Sequence, residues 1–327
     1  TSNALITGNY FLADKSWLNV KNSNIDIIIG PFERYIDKLF FVKRSYQASV
    51  CIIDKEKSEK AANMRDIIYS TISKNSHRVV SPDATRIEVR ESLIFSGFLG
   101  RAIFTQQHLP SDSISVEKYG SKILGYESSL KLKFEKIIYP IYKAIFEVDF
   151  CKRYTKDLIR KGCYYHVLLS GIVQHLHRYK GSRTRLRELF PILDEANVAA
   201  SSVQHAKQLV LKGVMGQKDL EATMIARICW IFSELVAAKK TNARDVYLKG
   251  DAIIFNFLKR EGALLEQGGI YWPNFAKMFF EMENLASIFT RILEEGSYDE
   301  ANEFIDKYYE MQPLYEFEQR LGNIKPL

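Results

Sequence analysis

The side chains able to do chemistry in this chain are few and widely spaced. His175-Leu176-His177 closes an apolar stretch, and single cysteines stand at positions 51, 151, 163 and 229. Two histidines at i and i+2 leave a helix on different faces, so they make a poor metal pair and read as capping or surface groups. Cysteines without C-x-x-C spacing argue against a zinc ribbon and against a disulfide scaffold. They read as small buried apolar residues of a protein kept in a reducing compartment, and the expected location is cytoplasmic. The phosphate-cradling G-x-x-x-x-G-K-[ST] is absent, as are a G-x-G-x-x-G after a strand, the G-x-S-x-G nucleophile elbow and the zinc helix H-E-x-x-H.

Composition narrows the classes further. The chain has 327 residues, with 46 Lys and Arg against 39 Asp and Glu, a formal charge of +7. Its length suggests two domains or one large one. Apolar residues make up 46% and aromatic residues 13%, enough for a sizeable core and too many for a collagen-like, mucin-like or disordered chain. The basic residues at Lys55–Lys60 and Lys131–Lys136 alternate with acids, a solvated surface and not a nucleic-acid groove. No apolar run approaches the ~18–20 residues of a membrane span, so neither nucleic acid nor membrane is an expected partner. Thr1-Ser2-Asn3-Ala4, without a Met, reads as an expression scar or an internal start.

The elements that must position any site divide into two regions. Ile25–Ile29 is a β-branched strand, read as stopped by Gly30-Pro31, and Leu39–Ile53 carries further strand character. Lys55–Lys74 switches to a helical period. Ser81-Pro82-Asp83 is a turn, Leu93–Thr105 returns to short strands, and Gln106–Lys122 reads as a polar loop. From Ser128 onward the period is helical, with Pro140 expected to kink the first helix. Further helices are expected over 164–179, 184–213, 219–238, 249–261, 272–294 and 298–309. The predicted class is α+β and mostly helical: a small β-containing lobe, 1–127, and a larger helical lobe, 128–327, with a cleft between them.

A family resemblance adds a function to this outline. Ile27-Ile28-Ile29-Gly30-Pro31-Phe32-Glu33-Arg34-Tyr35-Ile36-Asp37 resembles the I-G-P-x-E-x-Y-x-D segment of the dipeptidyl peptidase III family of zinc exopeptidases, and most closely its shorter members from bacteria and those fused to Nudix domains in plants. Leu39–Val50 continues in step with a family L-F-x-Y-K-A-A-F-E-A-F-V. Leu109-Pro110-Ser111-Asp112, Lys118–Lys122, Phe134-Glu135-Lys136-Ile137, Leu193-Asp194-Glu195-Ala196 and Gly250–Gly262 are similar to family L-P-N-D, K-G-S-K, F-E-K-I, L-E-E-A and G-N-A-x-Q-F-N-Y-L-L-E-E-G. The matches are collinear over nearly the whole chain.

In that family two histidines and a glutamate of F-H-x-L-L-H-E-x-x-H hold zinc and activate its water. The matching stretch here is Tyr165–His175, with Ser170 in place of the first ligand, Gly171 in place of the base and Gln174 in place of the second ligand. A longer spacing would put His175 at the second ligand. Glu195 matches the third ligand, a later supporting acid falls on Ala199, and a cleft histidine falls on Tyr247. The resemblance therefore implies a degenerate peptidase: no zinc, no other cofactor and no catalytic residue.

The grip on substrate is implied to persist. Glu33 and Tyr35 match positions that hold the peptide's amino terminus and a carbonyl, although His108 and Ser111 replace family Asn and Gln47 replaces Glu. The expected function is binding of a peptide, a protein terminus or a small molecule in the cleft. One alternative is a metal-independent enzyme using Tyr247, His166 or Glu195 for acid–base chemistry. Another is a peptidase with zinc moved to His175, His177 and Glu195.

Overall fold

The structure is a computed structural model that describes residues 2–21, 23–35, 43–72, 85–97, 99, 104–110, 113–177, 179–238, 245–322 and 324–325. It is an α+β protein, mostly helical, and it divides into two compact units. One comprises 1–70 and 80–132, the other 71–79 and 133–327.

In the first unit, helices α1 (Ser2–Ile6) and α2 (Tyr10–Leu18) lead into strands β1 (Ile25–Tyr35) and β2 (Lys43–Asp54). Helix α3 (Lys55–Thr71), strands β3 (Thr85–Gly97) and β4 (Gln106–Leu109), helix α4 (Ser113–Tyr119), strand β5 (Ser121–Tyr126) and helix α5 (Glu127–Lys133) follow. The sheet order is β1-β2-β3-β5-β4, with only β3 and β5 parallel. Alternation along β1 places Asp26 and Ile28 inside and leaves Ile25, Ile27 and Ile29 exposed. Ile28, Cys51, Leu109, Leu124 and Tyr126 pack with Trp17 and Leu18 of α2 in the core.

Two sequence expectations are corrected in this unit. Gly30-Pro31 does not end β1. Gly30 faces Gln47 and Glu33 faces Ser45, so one extra residue is absorbed as a bulge. Gly30 has a φ of 146°, and Pro31, which has no N–H to contribute, is tolerated at a bulge on an edge strand. The stretch 106–122 is no polar loop either. It forms β4, α4 and the start of β5, each too short for its few buried apolar residues to give a readable period. The turn expected at 81–83 and the strand character over 39–42 lie outside the described residues.

The second unit continues from a π-helical turn, Phe134–Ile138, into α6 (Tyr139–Ile145). Tyr139 N–H bonds Phe134 O, the wide i to i−5 pattern. The cause is Pro140, which has no N–H and would crowd the carbonyl four residues back; widening the turn accommodates it. Then come α7 (Val148–Arg153), α8 (Lys156–Leu176), α9 (Ser182–Leu186), α10 (Phe190–Leu211), α11 (Gln217–Ala238) and α12 (Asp245–Arg260). Strands β6 (Leu264–Gln267) and β7 (Ile270–Pro273) precede α13 (Phe275–Glu295), α14 (Tyr298–Tyr308), α15 (Gln312–Tyr315) and α16 (Glu318–Leu321). Gly268 and Gly269, read from sequence as helix stops, form the two-residue turn of this hairpin, with φ of 59° and 74°. The following helix accordingly starts at Phe275, capped by Asn274, and not at Trp272. Helix α8 packs on α11, and α10 on α12 and α13. Among the described residues no helix is long and apolar enough to cross a membrane.

Candidate functional site

Glu33 and Tyr35 lie at the C-terminal end of β1, beyond the bulge and at one edge of the sheet, opposite Ser45 and Lys43. The backbone of this strand end is described and its side chains are not. Gln47 sits opposite Gly30 on the buried face of β2. Its Oε1 accepts from Gln107 Nε2 at 3.1 Å, and Tyr126 OH donates to Gln107 Oε1 at 2.8 Å. β2 and β4 are three strands apart in the sheet, roughly 14 Å if it were flat. Two extended glutamine side chains span most of that distance, and their bond crosses the strands in between. His108 is half-buried on β4, the other edge strand, and Ser111 lies outside the described residues.

The residues matching the zinc motif fall on α8 and α10 of the helical unit. Gly162 sets the position of α8, because a Cβ there would come within 2.3 Å of Ala222 O on α11. Two turns later Ser170 donates its hydroxyl to His166 O of its own helix at 2.8 Å. Gly171 is buried, Gln174 half-buried and His175 fully buried. Glu195 is half-buried on α10, Ala199 is buried one turn on, and Tyr247 on α12 is exposed.

Around them lies a buried charge cluster that the sequence reading did not single out. Arg227 on α11 pairs with Asp251 on α12, and Lys133 Nζ lies 3.3 Å from Glu234 Oε1 on α11. Arg227, Glu234 and Asp251 are each more than nine-tenths buried. Lys133 also lies 3.7 Å from the centre of the Trp230 ring, against which His166 packs edge-on at 5.0 Å. Arg227, Trp230 and Glu234 recur at i, i+3 and i+7 on α11. This polar stripe on an otherwise apolar helix is the signal by which the cluster could have been found.

The electrostatics follow from burial. The Glu195 carboxyl is pushed up to about 8, first by burial and then by the charges of Asp194 and Asp251, with Arg227 opposing. Asp251 is raised to about 6 by burial, against the pull of Arg227. His166 is driven well below its usual range by burial and by the charges of Arg227 and Lys133, so its ring is neutral. Glu195 at neutral pH is thus a carboxylic acid able to donate a hydrogen bond, and His166 carries no charge.

The set His175, His177 and Glu195 is not assembled. The His177 Nε2 lies 3.1 Å from His205 Nε2, and its Nδ1 lies 3.3 Å from Tyr179 OH. Asn197 Nδ2 donates to that same hydroxyl at 2.6 Å. Burial, and then the neighbouring His177, drives His205 down to about 3. Among the described residues no three His, Cys, Asp or Glu are grouped to hold a metal ion. The residues at the motif positions do not fit zinc: a serine whose hydroxyl is turned onto its own helix and a glycine stand where an imidazole ligand and a carboxylate base would be needed. The four cysteines are free.

No family model matches the chain. Among curated proteins it is similar to Nudix hydrolase 3 of Arabidopsis thaliana, at 22% identity over 321 residues, 93% of this chain and 40% of that protein. Among solved structures, dipeptidyl peptidase III from Caldithrix abyssi superposes with a TM-score of 0.85 at 22% identity, over 99% of this chain and 63% of that one. The enzyme from Corallococcus sp. strain EGB gives a TM-score of 0.77 at 20% identity, over 99% and 62%. This chain thus spans less than two thirds of the length of each. Sheet unit and helical unit alike, over nearly its whole length the chain has the fold of dipeptidyl peptidase III.

Proposed function

We infer that this is a dipeptidyl peptidase III-like protein that has given up zinc-dependent hydrolysis and retains a binding role for a peptide, a protein terminus or a small molecule. One observation carries the first half. At the position of the first zinc ligand, Ser170 spends its hydroxyl on His166 O, and Gly171 beside it has no side chain to act as base. Elemental analysis and a dipeptidyl-arylamide assay test this together. The expectation is no stoichiometric zinc and no hydrolysis. Stoichiometric zinc that is lost in Glu195→Ala would overturn it.

The binding half rests on the intact Glu33-Arg34-Tyr35-Ile36-Asp37 sequence, of which Glu33 and Tyr35 lie at the end of an edge strand, where an extended peptide can add to the sheet. A carboxylate there can pair with an amino terminus through charge-assisted bonds worth roughly 1.5–3 kcal/mol. Glu33→Gln should then weaken peptide binding about 10- to 100-fold, and Tyr35→Phe less. Calorimetric titration with free and acetylated peptides checks it. Equal binding of the two forms would leave these residues as scaffold.

A second reading, metal-free acid–base chemistry, is favoured by one group. Glu195, with its carboxyl near 8, is suited to act as an acid at neutral pH. An activity lost in both Glu195→Gln and Glu195→Ala, with folding intact, would support it.

A further inference from the structure

We propose that the outward face of the sheet, built by β1, β2 and the second half of β3, is the interface of a two-fold homodimer in which two copies of this chain pack sheet against sheet. The residues of this face all belong to the first unit and stand apart from the positions that match the zinc motif.

The usual pattern of a half-solvated sheet is inverted here. Such a sheet turns its polar side chains to water and its apolar ones to the core. Along these strands Asp26, Gln47, Ser49 and Arg90 are buried, whereas Ile25, Ile27, Ile29, Ile52, Leu93 and Ile94 are each between 44% and 59% exposed. The register gathers them into one patch. Ile25 faces Ile52, Ile27 faces Val50, and Val50 in turn faces Ile94 of β3. A register shift beside Val50 leaves Leu93 as the extra residue of a bulge, and Leu93 and Ile94 are both exposed. Earlier on β3 the same face is closed. Ile87 and Val89 are buried where α3 is tied to the strand, with Val89 N–H donating to Ser58 Oγ at 2.9 Å and Arg65 donating to the Thr85 carbonyl.

Size and character select the occupant. Six half-exposed aliphatic side chains present about 600 Å², the upper end of what the largest patch on a monomer shows. Two such faces brought together bury about 1,200 Å², which reaches the lower bound of a specific interface. Sheets stack face to face by interdigitating their side chains, and stiff β-branched isoleucines do so at little entropic cost. The central row, Ile27, Val50 and Ile94, carries no charge, and Glu91, opposite Ile52, stands at the margin. A face of this kind has no charge with which to select a foreign partner. On its own copy, across a two-fold axis, it packs without a clash of like charges at the centre.

Analytical ultracentrifugation of wild type, Ile27→Lys, Ile94→Lys and Leu211→Lys over a concentration series tests the proposal. Wild type should dimerise with a dissociation constant of about 1–10 μM, as suits an interface at the lower bound of size. A lysine in the central row sets two like charges in the dry middle of the dimer and should weaken association about 100-fold or more. Both positions face water, so the two variants should melt close to wild type. Leu211, 70% exposed on α10, is the control, and Leu211→Lys should dimerise as wild type does. If the lysine variants fail to fold, the double variant Ile27→Thr, Ile94→Thr keeps the β-branching and should weaken association about 10-fold or more. A wild type that stays monomeric at about 100 μM would overturn the proposal. Binding of an apolar dye to that monomer, lost in Ile27→Lys, would assign the face to a different polypeptide. A dimer that survives both lysine substitutions, or that Leu211→Lys dissociates equally, would also overturn it. So would an open series of larger species, which would place association at the strand edge.

Discussion

Each unit buries a cluster of charges, and the two clusters are balanced differently. In the sheet unit, Arg90 meets Asp26 and Glu88, and Lys122 Nζ lies 3.0 Å from Glu88 Oε1. Trp17 Nε1 donates to Asp26 at 3.2 Å and its ring lies under the Lys122 ammonium, at 4.5 Å. Burial works against the Arg90 charge, and Glu88 and Asp26 outweigh it. In this cluster two cations face two carboxylates. In the helical unit Arg227 meets Asp251 and Lys133 meets Glu234 as separate pairs, and Glu195, half-buried on α10, has no ion pair among the described residues.

The largest effect should come from the balanced cluster. Arg90 is wholly buried, so Arg90→Met leaves Asp26 and Glu88 to share Lys122 and should cost about 3–5 kcal/mol, read from urea unfolding. A small loss would mean that Lys122 alone satisfies both acids, and the contrast with the helical unit would weaken.

Next in size is the packing that sets α8 against α11. Gly162→Ala places a methyl 2.3 Å from the Ala222 carbonyl oxygen, and forcing the helices apart should cost about 1–3 kcal/mol. The same variant should disturb the environment of Trp230, visible in its fluorescence, because Trp230 lies on α11 against His166 of α8.

The Glu195 carboxyl gives a pH test. A Glu195 held near 8 when folded and ordinary at 4.5 when unfolded contributes stability fully present below pH 4.5 and lost as pH rises to about 8. Glu195→Gln, always neutral, should remove that slope and melt above wild type at the alkaline end. Parallel pH profiles for the two proteins would show Glu195 to be ionised in the fold. The smallest effect is a control: Lys152→Ala removes an exposed pair with Asp149 at 2.7 Å and should change stability by less than about 0.5 kcal/mol.

Most of the helical unit was legible in the chain because a helix announces itself locally: apolar residues at i, i+3 and i+4 mark α8, α10, α11 and α13 whatever they pack on. The sheet unit was less so. In Ile27-Ile28-Ile29 three identical side chains give no hint that only the middle one is buried; the pleat and the neighbouring strands decide that. β4 and β5 were missed because strands of four and six residues carry little period of their own.

Of the candidate site, Ser170 and Gly171 could be read directly as residue types that supply neither an imidazole ligand nor a carboxylate base. Collinear motifs likewise sufficed to anticipate the fold. Which charges meet could not be read, because Arg227 and Asp251 meet across 24 residues, and Asp26 and Arg90 across 64. Each looks like an ordinary surface residue until folding removes the water around it. The chain alone determined which residue types stand at each position; the tertiary structure decided which charges meet and how deeply they are buried, because the energy of a charge depends on its distant neighbours and its burial, and neither is a local property of sequence.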